Sequence, residues 1–90
     1  MGLSGYHILQ AEPLSSTTLI DFHITNWRGE NELTWNFRSY KRRQLITIVR
    51  NNERYPRSIY DGLEIYRGID KVAHDCCQGA NQLFYYTAFG

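Results

Sequence analysis

Apolar side chains in this chain recur mostly at every second position, the period of strands rather than helices. Ile20, Phe22 and Ile24 alternate with Asp21, His23 and Thr25, which predicts a half-buried strand with one wet face. Arg28-Gly29, within the polar run from Asn26 to Asn31, predicts a turn. Leu33, Trp35 and Phe37 then alternate with Thr34 and Asn36, giving a second strand with a large apolar inward face. From Leu45 to Val49 both faces are apolar apart from Thr47, so this strand is expected in the middle of a sheet. Pro56 and Asp61-Gly62 bracket a loop. Leu63 to Tyr66 reads as a short strand stopped by Gly68, Val72 to His74 as another, and Leu83 to Phe89 as an aromatic-rich one. The predicted core is Phe22, Ile24, Leu33, Trp35, Phe37, Ile46 and Ile48. Short strands at this spacing predict an all-β fold, an antiparallel sandwich.

Length and composition narrow the class. Ninety residues allow one domain, and a hydrophobic share of 42% with 14% aromatics suits a packed chain rather than a disordered one. The composition shifts near Pro13. Residues 1–13 read as an N-terminal arm, Leu14-Ser-Ser-Thr-Thr as a polar connector, and residues 14–90 as the domain. The net charge of +1 creates no global attraction to nucleic acid or membrane. No apolar run approaches the ~20 residues of a membrane span. Met1 to Gln10 lacks the pattern of a secretion signal, which predicts synthesis in the cytoplasm.

The stretch Ile48-Val-Arg-Asn-Asn-Glu-Arg-Tyr-Pro56, followed by Asp61-Gly62 and Ile65-Tyr-Arg-Gly68, resembles a subgroup of fibronectin type III domains. Leu33-Thr-Trp35 is similar to the Leu-x-Trp of that family's second strand, whose Trp sits in the core. Phe84-Tyr-Tyr-Thr-Ala-Phe89 is similar to its aromatic strand F. The resemblance runs from about residue 18 to residue 90 and implies an immunoglobulin-like sandwich. Two departures stand out. Gln78, Ala80 and Asn81 replace the Leu, Pro and Gly of the turn before strand F, with Phe84 in place of a tyrosine, so the hydroxyl that pins this corner is missing. The residues that would form a final strand G are also missing, which leaves the sandwich incomplete at its C-terminus.

An incomplete sandwich exposes strand F, here Phe84, Tyr85, Tyr86, Thr87, Ala88 and Phe89, as an open edge of unpaired backbone groups. The candidate to cover it is the arm Tyr6, His7, Ile8, Leu9 and Gln10, which has strand-forming side chains at almost every position. The arm could pair with its own domain or enter a neighbouring copy, where strand addition builds head-to-tail chains. It could also be an unpaired terminus.

Candidate chemistry is sparse. His74, Cys76 and Cys77 suggest a metal site, but no second pair of ligands accompanies them. The reading preferred from sequence makes one cysteine a small buried hydrophobe and puts the other at a strand end. No paired carboxylates, phosphate-binding glycine loop or serine triad pattern occurs, so neither catalysis nor a cofactor is expected.

Charge is polarised despite its small sum. Arg38, Lys41, Arg42, Arg43, Arg50, Arg54 and Arg57 face only Glu53 over that span, while acids dominate elsewhere. Arg38, Lys41, Arg42, Arg43, Arg54 and Arg57 are therefore candidate basic contact loops, for a protein partner, a further copy or, less suitably, nucleic acid. The resemblance points to phage structural and bacterial surface proteins. The expected function is a non-enzymatic structural subunit of a virion, phage tail or filament, self-associating by strand completion. The alternative is a binding or adhesion module for a glycan or host protein through the basic loops.

Overall fold

The computed structural model describes residues 12–16, 19–27, 29–38, 43–76 and 83–90. They form seven strands: β1 (Leu14–Ser15), β2 (Leu19–Trp27), β3 (Glu30–Phe37), β4 (Ile46–Asn51), β5 (Leu63–Gly68), β6 (Val72–Asp75) and β7 (Tyr85–Phe89). One sheet has the order β1-β7-β4-β5 and the other β2-β3-β6. The molecule is an all-β sandwich of two packed sheets, and among the described residues no helix is long and apolar enough to cross a membrane. Every pairing is antiparallel except β1 with β7.

Alternation decides which side chains meet between the sheets. Leu33, Trp35 and Phe37 of β3 face Ile46 and Ile48 of β4, with Phe84, Tyr86 and Ala88 from the β7 segment and Ala73 from β6 completing a buried cluster. Phe22 and Ile24, expected in the core, are partly buried and pack against it, as do Ile65 and Tyr66. Trp35 lies edge-on to Phe22 at 5.9 Å and tilted against Tyr66 at 5.7 Å. The inward phase is also visible in β4, which is central as expected, lying between β7 and β5.

The first long strand departs from simple alternation. Its register with β3 shifts between Ile20 and His23, and Asp21 there has φ of 56°. One inserted residue flips the facing of everything before it, so Leu19 rather than Ile20 enters the core. His23 holds the bulge: its Nδ1–H donates to the Asp21 carbonyl at 3.0 Å, and its Nε2 meets the Thr34 hydroxyl at 3.1 Å. Gly29, with φ of 81°, turns the chain between β2 and β3 where Arg28-Gly29 predicted it.

The largest correction concerns the edge of β7. The residues taken as a connector form β1, pairing Leu14 with Thr87 and Ser15 with Ala88. Ser16 adds its N–H and its hydroxyl to the Ala88 carbonyl at 2.8 and 3.0 Å. The edge of β7 is thus met over Thr87 and Ala88 by residues 14–16 of the same chain. The arm Tyr6 to Gln10 lies outside the described residues, as do Lys41, Arg42 and Cys77.

Candidate functional site

One end of the sandwich gathers most of the polar chemistry. The inward phase of β4 runs Ile46, Ile48, Arg50, and that of β6 runs Ala73, Asp75, so alternation drives an arginine and an aspartate into the interior. Arg50 Nη1 donates to both carboxylate oxygens of Asp75 at 2.8 Å. The Tyr86 hydroxyl donates to Asp75 at 2.7 Å and accepts from Asn31 Nδ2 at 2.9 Å, while Asn26 donates to Asn31 Oδ1 at 2.8 Å. Five strands from both sheets therefore share one hydrogen-bonded chain. Burial, more than its partners, pushes the Tyr86 phenol well above its ordinary value of 10.0. Phe84 is buried in the core cluster, with the Arg50 guanidinium 4.7 Å above its ring.

The segment between β4 and β5 is built around Asp61. Its carboxylate accepts from Arg54 Nη2 at 2.6 Å and from the Arg57 N–H at 3.0 Å, and its N–H donates to the Ser58 carbonyl at 3.1 Å. Asn51 bridges the loop's ends, donating to the Asp61 carbonyl and accepting from the Glu53 N–H. The bond from Arg57, then the Arg54 guanidinium, hold the Asp61 carboxyl below the usual carboxylate range. Gly62, with φ of 146°, lies so close to β4 that a Cβ there would collide with the Arg50 carbonyl. Tyr55 packs edge-on against Tyr85 at 5.0 Å and donates its hydroxyl to the Glu12 carbonyl at 2.6 Å, while Pro56 is buried. The motif residues of this stretch are thus scaffolding for a fixed loop. Among the large hydrophobic side chains of this loop Tyr60 stands outward, 87% exposed.

A groove of about 500 Å3 opens beside this loop, lined by Arg50, Asn51, Asn52, Glu53, Gly62, Leu63 and Phe84. It joins the buried polar chain, through Arg50, to solvent.

The sequence-derived contact residues fare unequally. Arg38 and Arg43 are exposed, but Arg54 pairs with Asp61 and Glu53, and Arg57 lies 3.8 Å from Asp61, so this second basic loop is neutralised by its own acids. Tyr85 is half-buried on the face opposite the buried Tyr86, its ring packed against Tyr55. His74 is exposed on β6, its Nδ1 bonded to Glu30 and its Nε2 3.8 Å from Glu32. Cys76 is exposed just beyond β6, at the strand end expected of one cysteine, and is disulfide-bonded rather than a free thiol. Sequence reasoning missed Asn26, Asn31, Asp75 and Tyr86 as a unit, although the inward phase of Arg50 and Asp75 was a signal for it. No family model, no curated protein and no solved structure matches this chain.

Proposed function

We propose that the chain is a non-enzymatic structural subunit of a larger assembly, such as a virion, phage tail or filament, on a fibronectin type III-like plan. The single observation that carries this reading is β1 paired beside β7, the position where the resembling family places its strand G. The buried Trp35 of the Leu-x-Trp strand and the Asp61-centred loop made from the family-like motif support it further. With β7 met in cis, assembly by strand donation gives way to assembly through a preformed surface. The loop 52–62 suits that role, because Tyr60 is a large rigid side chain on a loop already ordered by its own hydrogen bonds.

Light scattering across protein concentration, on the wild type and on Tyr60→Ser, tests the proposal. Growth in mass with concentration that is lost in Tyr60→Ser is the expected result. A wild type that stays monomeric throughout rejects self-assembly. It would favour the second reading, a binding module for another molecule, which the same exposed Tyr60 also supports.

A further inference from the structure

β5 ends its sheet, so among the described residues no strand pairs with its outer edge. Such an edge invites a further strand, and proteins commonly blunt it with lysine or proline. Leu63–Gly68 contains neither. Exposed apolar side chains also gather around it. Leu63 lies on the strand, Tyr60 just before it and Ile69 just after it, while Leu45 precedes Ile46, the residue paired with Gly68. Val72 opens β6, which contacts β5 from the other sheet. These are five of the seven large hydrophobics exposed among the described residues, a concentration that marks an interaction surface rather than scattered exposure.

The facing of the strand selects the partner. Ile48 pairs with Tyr66 but Val49 with Glu64, which leaves Ile65 as the extra residue of a bulge. Ile65 and Tyr66 both pack against the core. Glu64 and Arg67 therefore share the outer face, where their side chains form an ion pair at 3.1 Å. Leu63 and Gly68 share the inward phase, opposite Arg50 and Ile46. The strand consequently reads alike from either end: Leu63 inward, Glu64 outward, Ile65 and Tyr66 inward, Arg67 outward, Gly68 inward.

A strand with that symmetry is complementary to itself. Residues opposite one another in an antiparallel pair point to the same face. Without the bulge, positions 64 and 67 would point to opposite faces and could not be partners. With it, a two-fold axis between Ile65 and Tyr66 sets Glu64 of each copy opposite Arg67 of the other. The same axis sets Ile65 opposite Tyr66, and Leu63 opposite Gly68 beside Ile69. Both charge pairs are attractive, and every facing agrees.

We infer that two copies of this chain pair antiparallel through β5, joining their four-stranded sheets into one of eight strands. The inference rests on the self-association proposed above and names its surface, with Tyr60 near each end of the shared edge.

Sedimentation velocity across protein concentration tests it on the full chain, using wild type, Glu64→Arg, Arg67→Glu and an equimolar mixture of the two variants. The exposed ion pair within one copy contributes little to folding, so each variant should keep the wild-type thermal unfolding. Each variant alone sets like charges opposite one another twice per dimer, and should dimerise about tenfold or more weakly than wild type. The mixture should recover wild-type affinity as a heterodimer. Both attractive pairs between copies are then restored, although neither variant keeps its internal ion pair. Variants that dimerise as tightly as wild type overturn the β5 pairing while self-association through another surface stands. A mixture that recovers nothing overturns it in the same way. A wild type that stays monomeric at every concentration removes both the inference and the self-association on which it rests.

Discussion

Around Trp35 the interior is almost wholly apolar: Leu19, Phe37, Ile46 and Ile48 surround it, with Phe22 and Tyr66 against its ring. At the other end, Asn26, Asn31, Tyr86, Asp75 and Arg50 form a continuous polar chain, buried at Asn31, Tyr86 and Asp75 and half-buried at its two ends. The first region stabilises through area and shape, which many apolar residues could provide. The second gains little net energy, because removing its charges from water offsets most of their attraction, but its hydrogen bonds accept only one relative placement of the two sheets. The difference explains why the groove and the ordered loop sit at the polar end: β4, β6 and β7 are held there in a fixed mutual geometry.

The two regions should respond differently to truncation. Leu33→Ala, at a fully buried site, should cost about 4 kcal/mol in urea unfolding, with no single second substitution restoring it. Asp75→Ala should cost about 3 kcal/mol, mostly by stranding Arg50 and Tyr86. Adding Arg50→Met should recover part of that loss, and strict additivity of the two would contradict the coupled picture.

Alkaline titration sharpens the contrast further. The folded protein holds the Tyr86 proton beyond the ordinary value of 10.0, whereas the unfolded chain releases it there. The stability it contributes is therefore complete below pH 10.0 and falls as pH rises through the higher folded value. Thermal unfolding of Tyr86→Phe should show a shallower decline over that range, and an unchanged slope would remove Tyr86 as the cause. The smallest effect is expected at Thr87, whose buried hydroxyl has no partner among the described residues. Thr87→Val should be neutral or stabilising by up to about 1 kcal/mol.

Much of the sandwich is legible as alternation. Leu33-x-Trp35-x-Phe37 and the two apolar faces of residues 45–49 place β3 and β4 directly, because inward positions on a strand repeat every second residue. The bulge at Asp21 is not legible, since nothing in Leu-Ile-Asp-Phe marks where an extra residue enters. Nor is β1, because two polar-flanked residues show no period and take their strand conformation from the β7 edge they meet. Arg54 and Arg57 read as a basic surface because Asp61 lies beyond their run, and only the turn of the chain returns its carboxylate to them. Asp75 was legible in principle: it shares the phase of the buried Ala73, and a buried carboxylate needs a donor such as Arg50.

The central claim is a sandwich whose β7 edge is met by residues just upstream of its first long strand. Exchange of the Ser16 amide, which donates to the Ala88 carbonyl, reads this most directly. The account predicts slow exchange, comparable to the Val49 amide and the same in dilute and concentrated solution. Rapid exchange would contradict it by leaving the edge bare, and protection that appears only on concentration would assign the covering strand to another molecule.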